Sequence, residues 1–254
     1  MLPLHAVLLG IVEGVTEFLP VSSTGHLILA SNLLGIGQTE FQKSFEIIIQ
    51  LGAIASVVAL YFRRFFDIQL LKKLFVAFIP TAVIGLALYR IVKTYFLGNE
   101  VIVLWSLFLG GIVLIVFELV TAKQQRTGTI ENLTYSQCAL IGLFQAISII
   151  PGVSRSAATI VGGLWLGMER RAIVEFSFLL AVPTMLAATG LDLVKNASAF
   201  TSDQFGILSV GFIVSFIVAL VSIKILLNIV RRHTFIPFGV YRIIVAVIFW
   251  FFVL

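Results

Sequence analysis

Apolar runs of about 20 residues recur along this sequence, and they restrict the chain to folds that place such runs in lipid. A helix of that length crosses the ~30 Å hydrocarbon core of a bilayer. Charged residues make up only 11% of the chain, whereas a soluble domain usually carries about 25%. The sequence therefore predicts an all-α integral membrane protein with six transmembrane helices, at about 44–62, 74–92, 101–120, 172–192, 205–230 and 236–254.

Two further apolar segments contain polar motifs and cannot be straight, lipid-facing helices. Residues 1–33 contain EGVTEFLPVSSTGH, from Glu13 to His26, and residues 136–166 contain PGVSRSAAT. Proline lacks an N–H and disfavours helix at the residue before it, so Pro20 is expected to break the first segment. Membranes tolerate broken helices where they line a cavity. Both segments are therefore predicted to be re-entrant broken helices.

The two halves of the chain resemble each other weakly. A shift of 132 positions pairs Gly10 with Gly142 and Ser22 with Ser154. If each half holds one broken segment and three spans, the odd number of crossings inverts the second half relative to the first. In such an inverted-topology repeat the site is expected near the membrane midplane, where the broken segments meet.

The predicted organisation is a single membrane domain, 1–254, with repeats at about 1–120 and 136–254 joined by the polar loop 121–135. Loop charges predict its orientation, because cytoplasmic loops carry an excess of Lys and Arg. Both termini and the mouth of the first broken segment then face outward. The net charge of +5 follows from this bias and does not indicate a nucleic-acid partner. The ten basic residues assigned to the cytoplasmic side, against four on the other, are Arg63, Arg64, Lys72, Lys73, Lys123, Arg126, Arg170, Arg171, Arg231 and Arg232.

Two carboxylates in the first motif suggest a cation site. Glu13 and Glu17 are four residues apart and share one helix face. Such a pair repels unless one member is protonated or a cation lies between them. Hard divalent ions such as Mg²⁺ or Ca²⁺ bind carboxylate and phosphate oxygens together. A structural or ion-coupling role for the pair is the alternative, and the single cysteine, Cys138, excludes a cysteine-based zinc site.

A run of hydroxyls follows the predicted break. Ser22, Ser23 and Thr24 can cap a new helix that carries His26 on its first turns. The bend also exposes backbone N–H groups that can hold an anion. Because a histidine near several hydroxyls is typical of acid–base or nucleophilic chemistry, we expect His26 to act as nucleophile or general base. A structural role as a satisfied buried histidine is the alternative.

Arg155 in the second motif requires an anionic partner, because it lies in an apolar run. The candidates are Glu13, Glu17 and a bound phosphate. The planar guanidinium suits a phosphate bidentately, and the neighbouring Ser154 and Ser156 add donors. Phosphate binding is the preferred interpretation, and a simple Arg–Glu pair that ties the two halves together is the alternative.

Over nearly its whole length the chain resembles the bacterial undecaprenyl-pyrophosphate phosphatase family, also known as bacitracin-resistance proteins. One position departs from the family pattern, which usually reads PGxSRSG, because Ala157 takes the place of its glycine. The resemblance rests on EGVTEFLPVSSTGH at 13–26, FEIIIQLGAI at 45–54, PGVSRSAAT at 151–159 and EFSFLLAVP at 175–183.

The resemblance implies an enzyme that removes the terminal phosphate of a C55 polyprenyl diphosphate and so recycles the lipid carrier of cell-wall synthesis. It also implies inverted repeats in the bacterial inner (plasma) membrane, a divalent cation, and an active site open to the outer, periplasmic side. The partners are then the lipid substrate and membrane lipid, with a homo-oligomer left open. A secondary transporter or lipid flippase with the same inverted repeats is the competing function, and a non-catalytic membrane scaffold is a third.

The resemblance also assigns roles to particular residues. Ser23 is expected to attack phosphorus, with His26 as base or as proton donor to the leaving group, and the reverse assignment stays open. Glu13 and Glu17 are expected to hold the metal. The predicted catalytic set is Ser23, His26, Glu17 and Arg155, and the predicted phosphate-binding set is Ser22, Thr24, Ser154, Arg155, Ser156 and Thr159. Within these sets, Ser22, Thr24 and Ser156 are predicted from their places in the two motifs and not from the resemblance.

Overall fold

The computed structural model describes residues 1–37, 39–96, 99–196 and 204–253, and in these ranges the chain is helical with no strand. Short 3₁₀ or π turns extend α3, α4 and α6 at their C-termini. The α-helices are α1 (Pro3–Thr16), α2 (Ser23–Leu33), α3 (Glu40–Leu60), α4 (Ile68–Ile91), α5 (Glu100–Val120), α6 (Tyr135–Ala146), α7 (Arg155–Trp165), α8 (Arg170–Asn196), α9 (Phe205–Val230) and α10 (Ile236–Val253).

Five helices in the described ranges are long and apolar enough to cross a membrane, which supports the predicted class of integral membrane protein. They are α3, α4, α5, α8 and α9, and each overlaps one of the predicted spans, although α3 ends at Leu60 and α4 at Ile91, slightly before the predicted limits. The sixth predicted span, 236–254, falls on α10, whose apolar part Ile236–Phe251 is shorter, while residue 254 lies outside the described residues. The count of six therefore stays a prediction.

Both polar motifs interrupt helix where the sequence predicts a break. The first helix ends at Thr16 and the next begins at Ser23, and the second pair is separated between Ala146 and Arg155. We call residues 17–22 the first turn and residues 147–154 the second turn. Each turn ends in a serine that caps the following helix through its side chain.

The first short helix of each half packs chiefly against a long helix of the other half. Helix α1 lies along α9, and a Cβ added at Gly14 would be 2.7 Å from the carbonyl oxygen of Ser215. Helix α6 lies along α4, where Gly142 meets the backbone of Ala77. Because these glycines let the backbones approach closely, the two turns are brought to face each other in the interior.

The polar loop between α5 and α6 is anchored at the opposite end of the helices from the two turns. Lys73 donates hydrogen bonds to the carbonyls of Ile130 and Glu131, at 3.0 and 2.6 Å. The buried Glu118 accepts hydrogen bonds from Arg126 at 3.5 Å and Arg170 at 2.8 Å. These bonds tie the loop to α4, α5 and α8.

Candidate active site

The candidate site centres on the carboxylate of Glu17, in the first turn. The hydroxyl of Ser23 donates a hydrogen bond to one carboxylate oxygen at 2.5 Å. The Nη2 group of Arg155 donates to the other at 2.8 Å. Ser23 begins α2 and Arg155 begins α7, so one buried carboxylate joins the starts of two helices from opposite halves of the chain.

The sequence left two carboxylates, Glu13 and Glu17, as candidate partners of Arg155, and the structure distinguishes between them. The partner is Glu17 and not Glu13. The other terminal nitrogen donates to the carbonyl oxygen of Ser177 at 2.8 Å and to its hydroxyl at 3.3 Å. Among the described residues the buried Nε–H has no hydrogen-bond partner. The guanidinium is therefore held firmly in place while its Nε–H stays unsatisfied.

A cavity of about 510 Å³ opens in front of these groups. Its polar end is lined by Glu17, Ser22, Ser23, Thr24, Ser154 and Arg155. Its other walls come from α4, α8 and the second turn and are mostly apolar, with Phe78, Leu86, Ile149, Met185 and Ala188. The cavity thus has hydroxyls and the guanidinium of Arg155 at one end, and apolar walls along the rest.

The N-termini of α2 and α7 both face the cavity. Ser22 caps α2 by accepting a hydrogen bond from the N–H of Gly25 at 3.4 Å, and Ser154 caps α7 through the N–H of Ala157 at 3.1 Å. Both serines line the cavity. Since a helix N-terminus carries partial positive charge and free N–H groups, two of them at one cavity favour an anion there.

Two predicted phosphate ligands bond to the protein and do not line the cavity. Ser156 donates to the carbonyl oxygen of Phe18 at 2.8 Å, which joins α7 to the first turn. Thr159 is buried and its hydroxyl lies 2.6 Å from that of Ser177. These contacts hold Arg155 and its helix in place, and a direct role in phosphate binding stays a prediction for both residues.

His26 does not face Ser23. Its Nδ1 lies 2.8 Å from the carbonyl oxygen of Ser22, and its Nε2 lies 2.8 Å from the hydroxyl of Tyr241 on α10. Because a carbonyl oxygen only accepts, Nδ1 carries the proton and Nε2 of the neutral ring accepts from the tyrosine. The two rings also stack, with centroids 5.5 Å apart. The hydrogen bond of Ser23 goes to Glu17 instead.

Glu13 fits a role as a cation ligand. Its side chain is fully buried beside Glu17, and neither carboxylate oxygen has a hydrogen-bond partner among the described residues. The described residues do not bring three His, Cys, Asp or Glu side chains together as a metal cluster. Two carboxylates next to a phosphate site nevertheless suit Mg²⁺, which is often bound by one or two carboxylates plus substrate phosphate and water.

A family model described as the bacitracin resistance protein BacA matches residues 6–248 of the chain. The chain belongs to this family.

Relatives of similar length carry one name. An undecaprenyl-diphosphatase of Sulfurihydrogenibium sp. (strain YO3AOP1) is 53% identical over 251 residues, which are 98% of this chain and 99% of that protein. The undecaprenyl-diphosphatase of Wolinella succinogenes is 52% identical over 250 residues, covering 98% and 97% of the two chains. That of Aquifex aeolicus is 49% identical over 246 residues, covering 96% of each.

Sequence reasoning missed three residues at the site of this BacA-family chain. Ser177 holds both Arg155 and Thr159, and Tyr241 holds His26. Arg242 is fully buried beneath both turns. A signal existed for Arg242, because an arginine inside an apolar span is rare and marks a functional site by default. Ser177 and Tyr241 carry no such signal in the sequence.

Proposed function

We propose that this chain removes the terminal phosphate of undecaprenyl diphosphate, giving undecaprenyl phosphate and inorganic phosphate. The observation that carries the proposal is the Ser23–Glu17–Arg155 arrangement at the polar end of a mostly apolar cavity. A diphosphate suits that end and a polyprenyl chain suits the apolar walls. The relatives named undecaprenyl-diphosphatase support the choice of substrate.

In the proposed reaction Ser23 attacks the terminal phosphorus and passes its proton to Glu17. The bond from phosphorus to the bridging oxygen breaks, and undecaprenyl phosphate leaves while the phosphoryl group stays on the serine. Water then attacks the phosphoserine, the bond from phosphorus to the serine oxygen breaks, and Glu17 returns its proton to that oxygen. The water oxygen leaves in inorganic phosphate, H₂PO₄⁻, which carries both of the water protons. The short hydrogen bond from the serine to the carboxylate supports this choice of proton acceptor.

Arg155 and the two helix N-termini would stabilise the charge that develops on the phosphoryl oxygens. The guanidinium already faces the cavity next to Ser154 and opposite Ser22 and Thr24. Such donors are fixed before the reaction begins, so they need little reorganisation in the transition state. Phosphoryl transfer depends mainly on this kind of positioning and charge stabilisation.

Glu13 and Glu17 would hold the divalent cation. When bound, such an ion neutralises phosphate charge and polarises the bond that breaks. The unpartnered oxygens of Glu13 support this assignment, because a buried carboxylate that stays ionised without hydrogen bonds needs a compensating cation. Both Mg²⁺ and Ca²⁺ fit an all-oxygen donor set.

In the membrane, we propose six crossings and two re-entrant segments arranged as inverted repeats. The packing supports this, because α1 on α9 corresponds to α6 on α4 when the halves are exchanged. The proposed inner-membrane orientation places the loop between α5 and α6 in the cytoplasm and the termini outside, as the loop charges indicate.

The direct test is phosphate release from farnesyl or undecaprenyl diphosphate by the purified protein in detergent with Mg²⁺ or Ca²⁺. We expect release by the unchanged protein and none by Ser23→Ala. Ser222→Ala is a matched control, since that hydroxyl bonds within α9 to the carbonyl of Val218. No release by the folded, unchanged protein with any divalent ion would favour the transporter alternative.

A further inference from the structure

Arg242 lies in the apolar helix α10, and all of its hydrogen bonds go to backbone carbonyls. The side chain is fully buried. The Nε group donates to Leu107 on α5, at 3.3 Å. The Nη1 group donates to Pro20 at 3.3 Å and Val153 at 3.0 Å, and Nη2 donates to Ser106 and Gly152, both at 2.9 Å. One planar group therefore bonds to both turns and to α5.

These carbonyls lie next to the reacting groups. Pro20 is in the first turn, between Glu17 and Ser23. Gly152 and Val153 directly precede Ser154 and Arg155 in the second turn. The guanidinium is rigid, so its two terminal nitrogens hold the two turns at one separation.

The guanidinium of Arg242 occupies the space beside Gly110, where a side chain would exclude it. A Cβ added at Gly110 would have only Arg242 guanidinium atoms as its three nearest neighbours, with Nη2 in direct collision. Among the described residues no carboxylate pairs with this arginine. Burying a charge without a counter-ion is unfavourable for stability, and here five backbone carbonyls compensate for it.

We propose that Arg242 is a positioning residue for phosphoryl transfer, which fixes the separation between the two turns and thereby the contact of Ser23 and Arg155 with Glu17. This inference rests on the proposed function for its catalytic consequence. The structural part of the inference, that one side chain holds both turns, does not depend on that function. A misplacement of about 1 Å at the reacting groups can cost ~10²-fold in rate.

The test combines two measurements on purified protein in detergent. Steady-state kinetics with farnesyl diphosphate give kcat and KM, and hydrogen–deuterium exchange measured by mass spectrometry reports the order of residues 18–26 and 150–158. For Arg242→Lys we expect kcat to fall by about 10²-fold, because one flexible ammonium group cannot replace a planar guanidinium that bonds to five carbonyls of the two turns and α5 at once. KM should change less than about threefold, because α4 and α8 line the apolar walls and neither bonds to Arg242. Exchange should rise in both turns.

Gly110→Ala provides a second variant that leaves Arg242 in the chain. The added methyl group should displace the guanidinium and lower kcat in the same way. In an Arg242→Met background the same alanine should have no further effect, because the colliding group is gone. Gly190→Ala on α8 is the matched control, since a Cβ there has no neighbour within 4 Å.

The outcomes separate the inference from the proposed function. A kcat for Arg242→Lys within threefold of the unchanged protein, or unchanged exchange in both turns, overturns the positioning role. An effect of Gly110→Ala that persists in full in the Arg242→Met background also overturns it. If the unchanged protein releases no phosphate, the proposed function fails, and the exchange measurement still decides whether Arg242 holds the turns.

Discussion

Ser22 and Ser154 adopt the same rare backbone conformation, with φ values of 71° and 76°, and each caps a helix that faces the cavity. No other non-glycine residue of the described ranges has a positive φ. A backbone held in a sparsely populated region costs about 1–3 kcal/mol and persists where the surrounding structure enforces it. The two turns therefore carry matching strain at the place where we locate the chemistry.

The first prediction follows from this strain. Ser154→Ala loses the cap, at about 1 kcal/mol, and keeps the strained φ. Ser154→Gly loses only a few tenths relative to serine at the cap position and relieves the strain. We expect the glycine variant to be more stable than the alanine variant by about 1–3 kcal/mol, measured by reversible unfolding in mixed micelles. Equal stabilities of the two variants would contradict the claim that the backbone at Ser154 is strained.

The second prediction concerns the guanidinium of Arg155. Lysine keeps the charge but cannot grip a phosphate with two parallel hydrogen bonds. Arg155→Lys and Arg155→Ala should therefore both lose ~10²–10³ in kcat while each still purifies as a single species. Arg171→Lys is the control, because that exposed arginine pairs with Glu175 one turn away and should retain full activity. Near-normal turnover of Arg155→Lys would mean that the residue only balances charge.

The third prediction identifies the nucleophile. Rapid acid quenching during turnover of a ³²P-labelled substrate should trap an acid-stable phosphoserine at Ser23. It should be absent from Ser23→Ala and remain detectable when His26 is replaced by Asn. Phosphohistidine is acid-labile, so a parallel quench in alkali tests the reverse assignment. A phosphohistidine that persists in Ser23→Ala would replace the serine mechanism.

The fourth prediction addresses the cation. Removing divalent ions with a chelator should abolish phosphate release, and adding Mg²⁺ or Ca²⁺ should restore it. Glu13→Gln keeps the shape of the side chain but removes its charge, so the ion concentration for half-maximal activity should rise at least ~10-fold. Glu131→Gln, in the exposed polar loop, is the matched control. Full activity of a metal-free sample would remove the assigned role of Glu13.

The fifth prediction concerns orientation. In a Cys138→Ser background, Lys123→Cys places a thiol in the loop that we assign to the cytoplasm. It should resist an impermeant thiol reagent in intact cells and react after the membrane is opened. Asn99→Cys lies at the start of α5 and should react in intact cells. The reverse pattern would show that the loop charges had been misinterpreted.

Local signals in the sequence were sufficient to predict the breaks in both short-helix segments. A proline and a run of hydroxyls act on neighbours a few residues away, so Pro20 and Ser22 locate the first turn without knowledge of the rest of the fold. The apolar runs likewise predicted helices α3, α4, α5, α8 and α9. The second motif, PGVSRSAAT, likewise predicted a break, and the structure adds that Ser154 caps the helix that follows it.

Contacts between distant segments could not be predicted in this way. Glu13 and Glu17 lie on one helix face by spacing, yet the choice of partner for Arg155 depends on how α7 docks against the first turn. The orientation of His26 depends on Tyr241, which is 215 residues away in the chain. A pattern within one segment does not say how two distant helices align, so it cannot predict such pairs.

The hydrogen bond between Arg242 and Pro20 can form only late in the synthesis and insertion of the chain. Its two ends are separated by 222 residues, and the arginine lies on the final helix. Ribosomes release the N-terminal helices first, so the first turn enters the membrane long before its support exists. A nascent chain that lacks α10 has both polar motifs in the bilayer but lacks the hydrogen bonds of Arg242 to both turns. With the positioning role that we propose for Arg242, the site reaches its working geometry only after α10 has been inserted.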